Sequence, residues 1–184
     1  MFFKEREIKG VFEIKLKSIK DNRGFFMRSF DDNLFKEAGI NSNWLQENHS
    51  KSLLKNTIRG LHFILPPHTD GKLIRCIRGK VWDVYIDLRK GSDTYGKWDS
   101  IELTEDKHVC LYLPSGFAHG FCTLTDNCEI LYKHDTPYQK DFDFGILWND
   151  KDIGINWPVD DPIISEKDKN LISFEKFTIN YGGL

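Results

Sequence analysis

Residues 71–98 read GKLIRCIRGKVWDVYIDLRKGSDTYGKW. Two short runs rich in β-branched, aliphatic and aromatic side chains, Leu73–Ile77 and Lys80–Leu88, flank Arg78-Gly79. So short a gap between such runs is turn chemistry, because Gly supplies the backbone angle that a tight connection needs. Lys90-Gly91-Ser92-Asp93 makes a longer polar turn after the second run. The same pattern extends outward in both directions, to Val11–Leu16, Gly24–Phe30, Trp44–Ser50 and Thr57–Leu65 upstream. Downstream it gives Trp98–Leu103, His108–Leu113, Gly116–Leu124 and Glu129–His134. Runs of this length with alternating character read as strands, and their spacing suits a closed barrel or a two-sheet roll.

One helix is predicted where Asp31 or Asp32 can cap, Leu34 and Phe35 open an apolar face and Gly39 stops the turn. A second helical turn is expected at Ser165–Lys169, with Ser165 as its cap. The tail after Trp157-Pro158 is more polar and is expected to pack over the outside. Neither a repeat nor a low-complexity linker divides the chain, so residues 1–184 read as one domain.

Composition narrows the function classes. Hydrophobic residues make up 40% and charged residues 29%, which are globular values. A net charge of −2 offers no basic footprint for nucleic acid or an anionic membrane. No stretch approaches the roughly 18 apolar residues of a membrane span, and charge enters MFFKEREIKG too early for a signal core. Cys76, Cys110, Cys122 and Cys128 form no C-x-x-C pair and read as buried free thiols of a cytoplasmic protein. An aromatic content of 14% suits β-structure around a cavity with flat apolar walls.

Six histidines invite a metal reading, and Pro114–His119 has the look of a later-strand ligand segment of β-barrel oxygenases. The H-x-H pair and downstream Glu that would complete such a site are missing, because Phe63-Ile64 follows His62. Metal binding needs several convergent ligands. His62 and His119 therefore read as acid–base or hydrogen-bonding groups. On a strand with period 2, Ile58, Gly60, His62 and Ile64 share an inward face opposite Arg59 and Leu61, and Gly60 leaves room for a ligand. The same pattern fits a satisfied core histidine. Ile130, Tyr132 and His134 face away from Glu129, Leu131 and Lys133; a phenol there is an acid or an ordinary sheet tyrosine. Lys72 is a charged group for a site or a strand-edge gatekeeper. Asp168 alone reads as a solvated surface residue.

Ordered strings join these residues. They are DNRGFF at 21–26, QENHSKS at 46–52, IRGLHF at 58–63 and residues 71–98 above. LPSGFAHGF at 113–121, LYK at 131–133, GILWND at 145–150, GINWP at 154–158 and ISEKD at 164–168 follow. Together they resemble the dTDP-4-dehydrorhamnose 3,5-epimerase family over about residues 5–170. The resemblance implies an all-β, cupin-type jelly-roll barrel with a few short peripheral helices. It also implies a homodimer, a nucleotide-diphosphate 4-keto-sugar substrate and no cofactor. It matches His62 to the base, Tyr132 to the acid, Asp168 to the carboxylate behind the histidine and Lys72 to the lysine beside the ketone. It matches Arg23, Phe26, Gln46, Asn48, Arg59, His119, Tyr138, Asp143 and Lys167 to substrate contacts. Such sugars imply a role in capsule or lipopolysaccharide biosynthesis.

The chemistry is coherent. Removing a proton at C3 or C5 beside a C4 ketone leaves an enolate, histidine has a suitable basicity, and a fixed cation stabilises the oxyanion. The chain departs from the family pattern at Ile64, where Gln is common, at Asp143, where Glu is common, and at Arg28, where an acid is usual. Arg28 only donates hydrogen bonds, so it suits the acceptor edge of guanine better than a pyrimidine N–H. A GDP-linked hexose or heptose is accordingly an expected rival substrate. A 3,4-ketoisomerase and a noncatalytic sugar-nucleotide binding module are the alternatives on the same scaffold.

Overall fold

A computed structural model describes residues 1–40 and 43–184. Among the described residues thirteen strands follow in chain order: β1 Phe2–Glu5, β2 Phe12–Lys15, β3 Ser18–Asp21, β4 Gly24–Met27, β5 Gln46–Ser52, β6 Ile58–Ile64, β7 Lys72–Arg78, β8 Lys80–Asp87, β9 Trp98–Thr104, β10 Val109–Leu113, β11 Phe117–Thr123, β12 Cys128–His134 and β13 Asp143–Gly145. The helices are α1 Asp32–Glu37, α2 Glu166–Lys169 and α3 Phe174–Tyr181. One sheet runs β1-β2-β10-β7-β12-β5 and a second β13-β6-β11-β8-β9, with β3 and β4 forming a separate hairpin. The two-sheet roll expected from the strand spacing is the observed architecture.

Alternation decides what each sheet faces. Ile74 and Cys76 of β7, Leu111 and Leu113 of β10 and Ile130 of β12 meet Val81 and Tyr85 of β8 and Phe117 and Phe121 of β11 in one inter-sheet core. Intervening residues face outward. Leu61, Phe63, Val84, Ile86 and Ala118 pack beneath the C-terminal segment and Phe177 of α3. Ile14, Leu73, Cys110 and Tyr112 pack beneath Phe35 of α1. The polar tail thus covers one sheet, as its composition implies. Each apolar side chain so buried contributes about 1.5–3 kcal/mol.

Asp31 caps α1 by accepting from the Leu34 N–H, and Ser165 caps α2 by accepting from the Asp168 N–H. The sequence reading missed α3, which Ser173 caps and Gly182 ends with φ +67°. It also extended a strand to Phe30. That strand stops at Met27, because Arg28 turns to Asp31, 2.5 Å from its carboxylate, at the start of α1. No helix among the described residues is long and apolar enough to cross a membrane.

Candidate active site

A cavity of about 580 Å³ opens between the sheets where the apolar core stops. β12 shows the transition in one strand: Ile130 belongs to the core, while Tyr132 and His134 line the cavity. β7 does the same, with Ile74 in the core and Lys72 in the cavity wall. The six-stranded sheet also contributes Gln46 and Asn48, and the facing sheet contributes Arg59, His62 and His119.

His62 and Asp168 form a dyad. The imidazole Nε2 donates to Asp168 Oδ1 at 2.8 Å, and Asp168 Oδ2 accepts the Gly60 N–H at 3.2 Å. The carboxylate is buried at 5% exposure, whereas the imidazole is 36% exposed toward the cavity. Burial alone raises the Asp168 pKa. Hydrogen bonding and the charge of His62, with the Gly60 N–H, outweigh burial and hold it below the ordinary carboxylate value. With Nε2–H committed to Asp168, Nδ1 carries the lone pair. Asp168 is therefore a buried partner rather than the solvated residue that its own segment suggests.

The strand carrying His62 departs from simple alternation. His119 of β11 pairs with His62, but Phe121 pairs with Arg59, so β6 holds one extra residue in a β-bulge. The bulge returns Arg59 to the same cavity as His62, contrary to the period-2 reading that set them on opposite faces. Gly60 sits there with φ +115°, and a Cβ on it would lie 2.7 Å from Gly120 Cα and from the His119 carbonyl oxygen. The role of Gly60 is corrected too: backbone fills the space it leaves, and it makes no room for a ligand.

The remaining wall is a set of fixed polar groups. Asp83 is wholly buried and accepts from His119 Nε2 at 3.0 Å through both oxygens. Burial pushes the Asp83 pKa up, with His119 pulling against it. The Tyr132 phenol is also shifted up by burial, which the charge of Arg59 partly offsets, so it stays a proton donor. Arg59 is steadied at the rim by Ser52 Oγ and the Lys51 carbonyl oxygen, at 3.0 and 3.1 Å. Asp143 Oδ2 gathers Lys167 Nζ at 2.6 Å and the Tyr138 hydroxyl at 3.0 Å, while Gln46 Oε1 accepts the Tyr138 N–H at 2.7 Å.

Lys72 is buried on an interior strand, not a gatekeeper at an edge, and donates to Asp70 Oδ1 at 3.0 Å. Asp70 also takes His134 Nδ1–H at 2.6 Å. Sequence reasoning named neither Asp70 nor His134 for the site. The available signal was the facing of His134 with Tyr132 on β12; nothing local marked Asp70. Among the described residues no group of three or more His, Cys, Asp or Glu is arranged to hold a metal.

Eleven of the fourteen residues predicted for the site line this one cavity, and Arg23, Phe26 and Arg28 do not. Arg23 is 85% exposed at the tip of the β3–β4 hairpin and pairs with Asp21 at 2.6 Å. Phe26 is 71% exposed on the same hairpin. Arg28 is held at its base by Asp31.

Known proteins share this sequence and shape. The sequence model of the dTDP-4-dehydrorhamnose 3,5-epimerase family matches residues 5–176. The protein of that description from Shigella flexneri is 48% identical over 165 residues, spanning 89% of this chain and 91% of its own. A crystal structure of the Bacillus anthracis dTDP-4-dehydrorhamnose 3,5-epimerase with TDP and PPi bound is 40% identical with a TM-score of 0.92, covering 94% of this chain and 99% of its own. A 3'-monoepimerase from Streptomyces bikiniensis, solved with dTDP-quinovose, is 28% identical with a TM-score of 0.89, covering 97% and 90%. With a His–Asp dyad, a phenol and a lysine around one inter-sheet cavity, and with this extent of likeness, the chain is an isomerase that belongs to the dTDP-4-dehydrorhamnose 3,5-epimerase family.

Proposed function

We propose that the chain inverts C3, C5 or both of a dTDP-linked 4-keto-6-deoxy-sugar, with His62 as base, Tyr132 as acid and Lys72 at the ketone oxygen. The observation that carries the reading is the placement of base and acid on opposing sheets. His62 stands on β6 and Tyr132 on β12, and both line one cavity. Inversion requires deprotonation on one face of a carbon and reprotonation on the other. His62 Nδ1 takes the proton at C3 or C5, and the bond's electron pair moves to the C4 oxygen. The Lys72 ammonium stabilises that oxyanion in a site shielded from water. Tyr132 then returns a proton to the opposite face, and solvent resets the two groups. Every proton moves between sugar, side chain and water, so the scheme uses no cofactor.

The dTDP reading is supported by the nucleotides named for the relatives. NMR in deuterated water with dTDP- and GDP-linked 4-keto-sugars tests substrate and carbon together. Deuterium entering C3 or C5 of the dTDP sugars is expected. Faster exchange in a GDP sugar would overturn the nucleotide assignment.

Arg23 and Phe26 can serve a substrate only if another copy receives them. The reading is therefore a homodimer in which the β3–β4 hairpin, with exposed Ile19, Phe25 and Phe26, reaches the partner's cavity. Mixing inactive His62→Asn with inactive Arg23→Ala tests this, since mixed dimers would regain one complete site. With four buried thiols, a reducing cytoplasm and supply of sugars for a surface polysaccharide complete the proposal.

A further inference from the structure

Asp70 and His134 are buried in the cavity wall, yet the scheme above uses neither. Register brings them to Lys72. On paired strands β7 and β12, His134 stands directly opposite Lys72. Opposed residues of an antiparallel pair share a face at about 4.5–5.5 Å between Cβ atoms. Two hydrogen-bond donors would thus meet at the cavity floor. Asp70, just before β7, puts one oxygen on each: Lys72 Nζ at 3.0 Å and His134 Nδ1 at 2.6 Å. Main chain holds it there. Asp135 Oδ1 accepts the Gly71 N–H at 2.6 Å, and a Cβ on Gly71 would lie 2.8 Å from Asp135 Oδ2. His134 Nε2 accepts from Asn48 Nδ2 at 3.2 Å, which fits the neutral Nδ1–H tautomer.

We propose that Asp70 is a positioning residue for the epimerase reaction, clamping Lys72 so that its remaining N–H groups meet the ketone oxygen, and fixing His134 as the clamp's second arm. The inference rests on the reading of Lys72 as the oxyanion partner. A carboxylate is required because two donors compete for it, and an amide has one acceptor oxygen. Burial raises the Asp70 pKa, but Lys72 and His134 bring it down to about 2, so the clamp is ionised at any working pH. Asp70 has no need to touch the sugar; it acts through Lys72.

A double-mutant cycle on kcat tests this, using Asp70→Asn, Lys72→Met and the two combined, with dTDP binding as the check on folding. Asp70→Asn is expected to lower kcat about 10²-fold, the cost of a misplaced catalytic group, with KM within about threefold. In the Lys72→Met background it should cost less than about threefold. The combined variant has no unpaired ammonium, so it remains testable if Asp70→Asn alone misfolds; its kcat should then equal that of Lys72→Met. ¹⁵N NMR should show His134 as the Nδ1–H tautomer in the unmodified protein and a mixture in Asp70→Asn. Equal losses from Asp70→Asn in both backgrounds would overturn the clamp while leaving Lys72 in its role. Full activity of Lys72→Met would overturn the role of Lys72 and the clamp with it.

Discussion

Replacing Asp168 by Asn changes one atom type at a buried site and should nearly abolish turnover. Both carboxylate oxygens accept: Oδ1 from His62 Nε2 at 2.8 Å and Oδ2 from the Gly60 N–H at 3.2 Å. An amide offers one acceptor. The Gly60 N–H is fixed by the bulge and cannot become an acceptor, so the amide oxygen belongs there and the NH₂ group faces the imidazole. Nε2 must then accept, the proton moves to Nδ1, and the base meets the sugar already protonated. A wrong tautomer costs on the order of 10⁴-fold in the serine-protease triad, and general acid–base help is worth about 10²–10⁴-fold. The expected fall in kcat is therefore about 10²–10⁴-fold, or roughly 3–5.5 kcal/mol at 1.36 kcal/mol per decade. Fold stability should change little, because the Gly60 N–H keeps an acceptor and Ser165 still caps α2. The assay is entry of solvent deuterium at C3 or C5, followed by NMR, beside a thermal melt. Exchange within about threefold of the unmodified rate would refute both the dyad and the tautomer argument.

Gly60→Ala should destabilise by about 2–5 kcal/mol, combining positive-φ strain with overpacking against Gly120, and a thermal melt will show it. Tyr132→Phe should impair inversion more than deuterium exchange, and equal loss of both would show that Tyr132 is not only the acid. Acid should unfold the protein in a defined window. Asp70 and Asp87 are both depressed to about 2, burial being outweighed by Lys72 and His134 for the first and by Arg89, Ser92 and Thr94 for the second. A depressed carboxylate stabilises above its unfolded value near 3.9 and loses that contribution as pH falls through its folded value, so melting temperature should drop steeply from about pH 4 to pH 2. For Asp70 the contribution is on the order of 2 kcal/mol, and Asp70→Asn should flatten that slope.

What could be read from the chain was whatever lay along a strand. The alternation of β12 set Tyr132 and His134 together, because side-chain direction on a regular strand has a fixed period. The turn at Arg78-Gly79 was legible as a turn, but it carries the chain from one sheet to the other, since β7 and β8 do not pair. What could not be read depended on geometry between strands. The bulge at Gly60 shifts one register, so the facing of Arg59 came out reversed. Asp70 meets His134 only because β7 and β12 pair, 64 residues apart in sequence. The helix α3 hid because FEKFTINY carries Thr, Ile, Asn and Tyr, weak helix formers. The resemblance supplied the roles of Lys72 and Asp168, whose local segments pointed to an edge and a surface.

The passage of β12 from apolar core to cavity within one strand bears on how the protein breathes. Its backbone is laddered on both sides, to β5 and β7, so Tyr132 and His134 cannot loosen without breaking strand pairing on both sides. Amide hydrogens along this wall should exchange only through opening of the whole barrel. A ligand that fills the cavity then acts on the folding equilibrium of the entire molecule. Its affinity can be read by mass action from the rise in melting temperature with ligand concentration, given the unfolding enthalpy, with no separate local transition to subtract.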